Sequence, residues 1–270
     1  MADAAVVFDD GVAYEAFMGR WSRAIGAVFL DWFAPPFAPP KGACWLDVGC
    51  GTGVFTELVL EMCSPAAVMA VDPAAAQIDY ARRRPGAPRA NFRVADAQTL
   101  PFADQTFDVV ASALVLNFIP DRLRALAEMR RVARPGGAVG GYVWDFAAGR
   151  SPTWPLARAM RHIGIEPPRI PGADGSGLEL LHALFDQAGF EDIAVRSIDV
   201  MVEFPDFDSY WRTQTPVFNP LGKAIAAMPD AERVKVIDAV RAELPASPNG
   251  SIVYSVRANA VKSRVPVSGS

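Results

Sequence analysis

The sequence predicts an α/β domain in which a doubly wound, mostly parallel sheet of seven strands carries a helical cap. Two observations support this class. Between residues 40 and 145, short apolar runs alternate with segments of helical periodicity, a pattern typical of a parallel sheet with helices on both faces. A glycine-rich turn, 49–53, follows the first apolar run. The segments 1–35, 146–176 and 205–250 lack this alternation, and we expect them to form the cap.

Each element follows from its local pattern. Apolar side chains recur at helical spacing over 13–33, and the prolines after residue 34 end that helix. The predicted strands are apolar or alternating and cover 43–48, 67–71, 91–95, 107–113, 138–144, 193–204 and 251–261. The predicted helices between them cover 53–62, 73–84, 121–134, 155–163 and 178–188. Residues 263–270 are expected to form a mobile tail.

Composition and charge exclude several classes of protein. With 51% hydrophobic and 21% charged residues among 270, the chain is too apolar to be disordered. A net charge of −4 disfavours nucleic acid as a partner. No apolar run reaches the ~18 residues of a membrane span, and the N-terminus lacks the features of a signal peptide. Three cysteines without a CxxC or Cys/His cluster predict reduced thiols, no metal site and a cytoplasmic protein.

The most informative stretch is the turn that links the first strand to the following helix. Glycines there let a ligand approach the backbone, and the helix N-terminus offers free N–H groups. The spacing is Gly49-x-Gly51-x-Gly53, so Val54 occupies the position at which a dinucleotide-binding turn needs glycine. Asp47, directly before the turn, would repel a pyrophosphate and attract an ammonium or sulfonium group.

The turn and four further segments resemble class I S-adenosylmethionine-dependent methyltransferases. The segments are Val71-Asp72-Pro73, Ala95-Asp96-Ala97-Gln98-Thr99-Leu100-Pro101-Phe102, Phe107-Asp108-Val109-Val110 and Arg134-Pro135-Gly136-Gly137. The likeness covers residues 40–145 and is closest to the small-molecule group that includes ubiquinone/menaquinone C-methyltransferases. It implies a single domain over 1–270, with a Rossmann-like sheet, an antiparallel last strand and a cofactor-binding core at 40–145.

The resemblance also implies how the first motif binds S-adenosylmethionine as cofactor. The turn would pass beneath the methionine part and the ribose. Asp47 would lie near the methionine end, and the Ala113 backbone would lie near the methionine amino group. The turn residues assigned to the site are Gly49, Cys50, Gly51, Thr52 and Gly53.

The segments around Asp72 and Asp96 would bind the nucleoside. Asp72, followed by Pro73, would accept hydrogen bonds from both ribose hydroxyls, because a carboxylate has two acceptor oxygens. Asp96 would accept a hydrogen bond from the adenine amino group, and the Ala97 N–H would donate to a ring nitrogen.

The N-terminal helix carries the sequence Tyr14-x-x-Phe17-Met18-Gly19-Arg20-Trp21, which is similar to helices that cover the cofactor in related methyltransferases. This likeness adds Tyr14, Arg20 and Trp21 to the site. Arg20 or Arg23 would pair with the methionine carboxylate, and Tyr14 would line the methyl site. The alternative is a helix that only packs on the sheet.

The resemblance implies methyl transfer to a small acceptor molecule, and the aromatic residues of 144–154 and 207–218 predict an apolar acceptor pocket. Displacement at a sulfonium needs alignment and exclusion of water, so no catalytic base is assigned. Asp145, Tyr210 and Tyr14 are candidate polar groups near the methyl.

Two other functions stay open at this point. A nicotinamide-dependent oxidoreductase is disfavoured by the glycine spacing and by the absence of a Tyr-x-x-x-Lys motif. A non-enzymatic protein that binds S-adenosylmethionine would carry the same cofactor residues. Leu116-Asn117-Phe118-Ile119 stands where nucleic-acid base methyltransferases carry an Asn/Asp-Pro-Pro-aromatic motif, which again disfavours a nucleic-acid substrate. The oligomeric state is not predicted.

Overall fold

The computed structural model describes residues 15–33, 42–244 and 246–267. Seven strands form one sheet in the order β3-β2-β1-β4-β5-β7-β6. Strand β7 runs antiparallel to both of its neighbours, and the pairs on the other side of β5 are parallel, so the predicted sheet is confirmed. The strands are β1 (Cys44–Val48), β2 (Ala67–Asp72), β3 (Asn91–Val94), β4 (Phe107–Ala113), β5 (Ala133–Trp144), β6 (Glu191–Phe204) and β7 (Ile252–Arg264).

The helices divide between the sheet and the cap. A π-helical turn, Glu15–Gly19, leads into α1, and a 3-10 turn, Leu116–Phe118, follows β4. The α-helices are α1 (Arg20–Phe33), α2 (Val54–Met62), α3 (Ala75–Ala81), α4 (Arg122–Val132), α5 (Trp154–His162), α6 (Leu178–Gln187), α7 (Phe207–Gln214), α8 (Pro220–Ala226) and α9 (Asp230–Glu243). Among the described residues, no helix has the length and apolar character needed to cross a membrane.

The central strands of the sheet are buried on both faces, as expected for a doubly wound domain. On one face the ring of Phe29 in α1 lies 5.0 Å from the ring of Tyr142 in β5. On the other face, Leu126 of α4 and Phe185 of α6 belong to one buried cluster with Val110 of β4. Burying each such side chain contributes roughly 1.5–3 kcal/mol, so both helix layers hold the strands in register.

The strand order reverses between β1 and β4, which places a crevice at the carboxyl ends of these two strands. The chain winds outward from β1 through β2 to β3, and it then returns to β4 and continues to β5. Open α/β sheets bind ligands at such a switch point. The turn 49–53 leaves β1 at this crevice, so the fold brings the most informative sequence motif to the position where a ligand is expected.

Several element boundaries differ from the sequence prediction, and the largest strand extensions are at β5 and β7. Strand β5 begins at Ala133 rather than at residue 138, because residues 134–137 form a bulge in which Gly136 adopts a φ of 72°. Strand β7 continues to Arg264, where the Ser263 hydroxyl donates to the Val139 carbonyl at 2.9 Å. Residues 263 and 264 therefore belong to the sheet and not to the predicted tail.

Candidate cofactor cleft and the adjoining chamber

The carboxyl ends of β1, β2 and β4 open into a cleft of about 480 Å³. The turn after β1 forms one wall, and the segments after β3 and β4 form the other. Ser22 of α1 and Tyr142 of β5 also line the cleft. The predicted site residues that it brings together are Gly49, Cys50, Gly51, Thr52, Asp72, Pro73, Asp96, Ala97 and Ala113.

Backbone geometry explains why this turn contains glycines. Gly49 has a φ of 77°, and a Cβ there would stand 2.6 Å from the side chain of Val115. Gly51 has a φ of 51° and no atom within 4 Å of a Cβ position, so its surface is open. The N–H groups of Gly49 and Cys50 both donate to the Val71 carbonyl, at 2.7 and 2.9 Å. The turn is thus fixed to β2 and leaves its Gly51 surface free for a ligand.

Asp72 connects the turn to the strand beside it. Its Oδ2 accepts from the Gly51 N–H and its Oδ1 from the Ala74 N–H, both at 2.9 Å. Burial raises the pKa of this carboxyl, and the two backbone hydrogen bonds oppose that shift. Each oxygen of an ionised carboxylate can accept a further hydrogen bond, so both could bind the hydroxyls of a vicinal diol.

Asp96 is exposed at the opposite wall, and its orientation is set by Gln98. The Gln98 N–H donates to Asp96 Oδ1 at 2.8 Å, and the Gln98 side-chain amide lies 3.1 Å from both carboxylate oxygens. Gln98 Oε1 in turn accepts from the Asp121 N–H at 3.2 Å. Gln98 was not among the predicted site residues, although it lines the cleft and positions one that was.

The charges of the cleft select for a cationic ligand. Asp72 and Asp96 are the charged side chains among the described lining residues, and no lysine, arginine or histidine is included with them. A pyrophosphate would therefore meet two carboxylates without a compensating cation, whereas a sulfonium or ammonium group would be attracted.

Asp47 does not line the cleft, in contrast to the sequence prediction. It lies behind the turn, 2% exposed, and its Oδ2 accepts from the Thr56 hydroxyl at 2.6 Å. Its Oδ1 has no hydrogen-bond partner among the described residues. Burial raises the pKa of Asp47 to about 7, and the nearby Asp72 carboxylate acts in the same direction. Asp47 therefore connects β1 to α2 behind the turn through its bond with Thr56.

Gly53 is also displaced from the cleft, because it forms the N-cap of α2 with a φ of 85°. A Cβ at this position would stand 3.1 Å from the Ala81 side chain, so Gly53 packs toward α3. Its role is to permit the turn, and we withdraw it as a residue that contacts the ligand.

The N-terminal helix orients its predicted residues away from the cleft. The Arg20 guanidinium donates to the Glu203 carbonyl at 2.7 Å and lies 4.8 Å from the Phe204 ring centre. Trp21 is fully buried, with its ring 5.2 Å from that of Tyr254. Both residues therefore pack on β6 and β7 and do not line the described cleft, so the structure does not support the prediction that Arg20 and Trp21 belong to the site. Tyr14 lies outside the described residues.

Ser22 and Tyr142 are lining residues that the sequence analysis missed. Ser22 follows Met18 by one helical turn on the buried side of α1, and a polar residue in an otherwise apolar stripe is the signal that could have identified it. Tyr142 pairs in register with Ala113 near the end of β5. The rule that ligands bind at strand carboxyl ends points to this end of the strand, but the register that brings Tyr142 to the cleft is a tertiary property.

The two other groups proposed near the methyl do not reach the cleft. Asp145 Oδ1 accepts from the Ala148 N–H at 3.0 Å, which closes the turn after β5. Tyr210 is fully buried in α7, with its ring 5.4 Å from Phe204, and burial raises the pKa of its phenol. Neither residue lines the cleft, so the structure does not support them as polar groups at the methyl.

The π-helical turn contacts the glycine turn directly. The Thr52 hydroxyl donates to a carboxylate oxygen of Glu15 at 2.9 Å. The other Glu15 oxygen accepts from Arg84 at 3.1 Å. Residues 15–19 are therefore attached to the wall of the cleft, and this contact supplies a physical link between the N-terminal segment and the turn.

A second, smaller cavity of about 60 Å³ adjoins the cleft, and we call it the chamber. Leu114 and Phe118 line both spaces. The three predicted cap segments each contribute to the chamber's walls. The described residues that line it are Phe17, Met18, Leu114, Phe118, Trp144, Phe146, Pro152, Thr153, Ile170, Asn219 and Pro220.

The strand order is that of the α/β methyltransferase fold, and solved proteins of this fold include ones crystallised with S-adenosylmethionine as cofactor. Residues 46–140 match the family described as the methyltransferase domain.

Curated proteins resemble part of this chain in sequence, and solved structures resemble its fold. A malonyl-[acyl-carrier protein] O-methyltransferase from Methylococcus capsulatus is 36% identical over 135 residues, which cover 50% of this chain and 46% of that protein. The O-methyltransferase cnsE from Penicillium expansum is 34% identical over 60% of this chain and 56% of its own length. The chain thus spans about half the length of these curated relatives. Haemonchus contortus phosphoethanolamine N-methyltransferase 2, solved with S-adenosyl-L-methionine, is 17% identical, with a TM-score of 0.57 over 95% of this chain and 56% of its own.

Proposed function

We propose that the protein binds S-adenosylmethionine in the cleft and transfers its methyl group to a small, apolar or aromatic acceptor that enters the chamber. The observation that carries this proposal is the junction at Leu114 and Phe118, where a cleft with two carboxylates meets an apolar chamber. A cationic donor and an uncharged acceptor would meet at that junction.

The residues of the cleft fit the proposed cofactor. The open surface at Gly51 suits a close backbone approach, and the Asp72 oxygens suit the ribose diol. Asp96, held by Gln98, offers an acceptor for the adenine amino group. The residues that carry the resemblance to methyltransferase motifs thus line the same cleft.

The chain's contribution to the chemistry is positioning and exclusion of water. Held by Asp72, Asp96 and the turn at Gly51, the cofactor would supply a methyl group on a sulfonium, and its loss to the acceptor atom would leave a neutral thioether. The cleft fixes the donor, and the aromatic walls of the chamber, such as Phe17 and Phe146, hold the acceptor in a dry space. An acceptor that carries a proton loses it to solvent or to a base.

The names of the similar proteins suggest which acceptor atoms should be tested. The relatives described above are named as O-methyltransferases, and the solved neighbour is named as an N-methyltransferase. The resemblance of the motifs to ubiquinone/menaquinone C-methyltransferases adds aromatic carbon acceptors. A test therefore needs phenols, aromatic amines and quinols together.

The proposal is tested by incubating the protein with S-adenosylmethionine labelled in the methyl group and a panel of such aromatic compounds. We expect label in an organic-soluble product, and we expect the Asp72→Ala variant to lose it. Asp79→Asn is a matched control, since Asp79 is exposed and pairs with Arg82 on α3. Cofactor binding without label transfer to any compound, including molecules that co-purify with the protein, would favour the non-enzymatic alternative.

A further inference from the structure

The chamber is lined by uncharged residues, although the cleft that it adjoins is acidic. None of the described residues that line it carries a charge. Its polar members are Thr153, Asn219 and Trp144, and the rest are apolar or aromatic. Burying an ionised carboxylate or phosphate without a partner costs several kcal/mol or more, so the chamber disfavours charged groups.

Two of the three polar members already have neighbours. The Thr153 hydroxyl lies 3.5 Å from the Ser151 hydroxyl. Asn219 Oδ1 accepts from the Leu221 N–H at 2.9 Å, where it caps α8. Both contacts are made within the cap, so the geometry does not indicate that either group binds a ligand.

Trp144 differs from both. It lies at the end of β5, 3% exposed, and its Nε1 has no hydrogen-bond partner among the described residues. Buried donors in folded proteins are nearly always paired, because an unpaired one costs about 1–3 kcal/mol. An indole nitrogen can only donate. A ligand atom that completes this site must therefore be a hydrogen-bond acceptor.

We propose that Trp144 Nε1 donates a hydrogen bond to an oxygen of the methyl acceptor, and that the acceptor is an uncharged aromatic or apolar molecule with such an oxygen. This inference rests on the proposed function, because it takes the chamber to be the acceptor site. The rings of Phe118 and Phe146, 6.4 Å apart, would contact the apolar body of that molecule. Trp144 is thereby assigned as a residue that determines substrate specificity.

Three probes of similar size separate oxygen recognition from simple apolar binding. Acetophenone has a neutral oxygen acceptor, ethylbenzene has none, and benzoate carries a charge. Binding is measured on protein saturated with S-adenosylhomocysteine, by calorimetry and through the indole N–H resonances. We expect acetophenone to bind about tenfold tighter than ethylbenzene and benzoate, and we expect it to shift the Trp144 resonance.

The Trp144→Phe variant removes the donor and keeps an aromatic ring. We expect it to bind acetophenone and ethylbenzene within twofold of each other. Trp45→Phe is the matched control: Trp45 is also buried with no partner for its Nε1 among the described residues, yet it lines neither space. The control variant should keep the tenfold preference.

The inference is overturned if Trp144→Phe keeps the preference, if benzoate binds as tightly as acetophenone, or if no probe binds. The comparison of the three probes on the unaltered protein decides the matter even where Trp144→Phe does not fold. Affinity for S-adenosylhomocysteine and label transfer are measured on the same preparations. Loss of those would contradict the proposed function, whereas equal binding of the probes with cofactor affinity intact would contradict only the role of Trp144.

Discussion

The cleft and the chamber share Leu114 and Phe118, but they are built in different ways. The cleft is formed by short turns at the ends of neighbouring strands, and its charges come from Asp72 and Asp96. The chamber is formed by side chains as distant in sequence as Phe17 and Asn219, and its described walls carry no charge. Local backbone geometry therefore determines the first space, and tertiary packing determines the second.

The largest effect that would sharpen this contrast concerns the charged side of the cleft. Asp72→Ala removes the acceptor of the Gly51 N–H together with the proposed acceptor of the ribose hydroxyls. We expect a loss of ~2–4 kcal/mol in binding S-adenosylhomocysteine, because charged hydrogen bonds are the stronger ones. Calorimetry on Asp72→Ala and on the Asp79→Asn control measures it. An affinity within threefold of the unaltered protein would remove Asp72 from the site.

The backbone of the turn offers a second comparison, between Gly49 and Gly164. The two have φ angles of 77° and 78°, but a Cβ at Gly49 would meet Val115 whereas one at Gly164 has no atom within 4 Å. Either change to alanine strains the backbone by ~1–2 kcal/mol. We expect Gly49→Ala to lower the free energy of unfolding by a further ~1–3 kcal/mol through overpacking. Urea denaturation of both variants gives the difference, and equal losses would contradict the account of the turn.

The buried carboxyl behind the turn predicts a dependence on pH. Because the pKa of Asp47 is raised from 3.8 to about 7, the folded chain retains this proton over a range in which the unfolded chain has lost it. The contribution of Asp47 to stability is therefore full below pH 4 and is lost as the pH rises to about 7. Asp47→Asn keeps an oxygen for Thr56 and cannot ionise.

Urea denaturation at pH 5 and pH 8 tests this contribution. We expect the stability of Asp47→Asn relative to the unaltered protein to rise by ~2–3 kcal/mol between the two pH values. Asp104→Asn, on an exposed carboxylate paired with Arg131, serves as control. A relative stability of Asp47→Asn that is the same at both pH values would show that Asp47 is ionised throughout.

The smallest effect concerns the N-terminal segment. The bond from Thr52 to Glu15 attaches residues 15–19 to the turn. We expect S-adenosylhomocysteine to slow amide exchange in 15–19 by a few-fold as well as in 47–53, because ordering of the turn is transmitted through this contact. Helix α9, which does not line the cleft, is the internal reference. Protection limited to 47–53 would make the segment a packing element only.

The sequence was informative where function depends on backbone conformation and on charge at strand ends. The spacing of the glycines, Asp72 and Asp96 follows from the chain's local course, so their meeting in one cleft could be predicted. The packing of Arg20 and Trp21 could not be predicted. Helical periodicity identifies a buried face of the helix, but it does not show that β6 and β7 cover that face. The residue of this segment that contacts the turn is Glu15, whereas Arg20 and Trp21 pack on β6 and β7.

The walls of the chamber and the position of Tyr142 could not be predicted for a second reason, which is that they depend on tertiary packing. The aromatic content of the cap segments predicted an apolar pocket, but its walls are selected by packing among segments that have no regular spacing between them. Tyr142 reaches the cleft only because β5 pairs with β4 in the register that aligns it with Ala113. Register between distant strands is a tertiary property, and it is invisible in a single sequence.

We expect the cleft to select an S-adenosyl nucleoside over a dinucleotide. Calorimetric titration of the unaltered protein with S-adenosylmethionine, S-adenosylhomocysteine and NAD tests it most directly. Because the charged residues that line the described cleft are two carboxylates, they disfavour the pyrophosphate of NAD, so we expect micromolar binding of both S-adenosyl compounds and no measurable binding of NAD. Micromolar binding of NAD with none of S-adenosylhomocysteine would contradict the account.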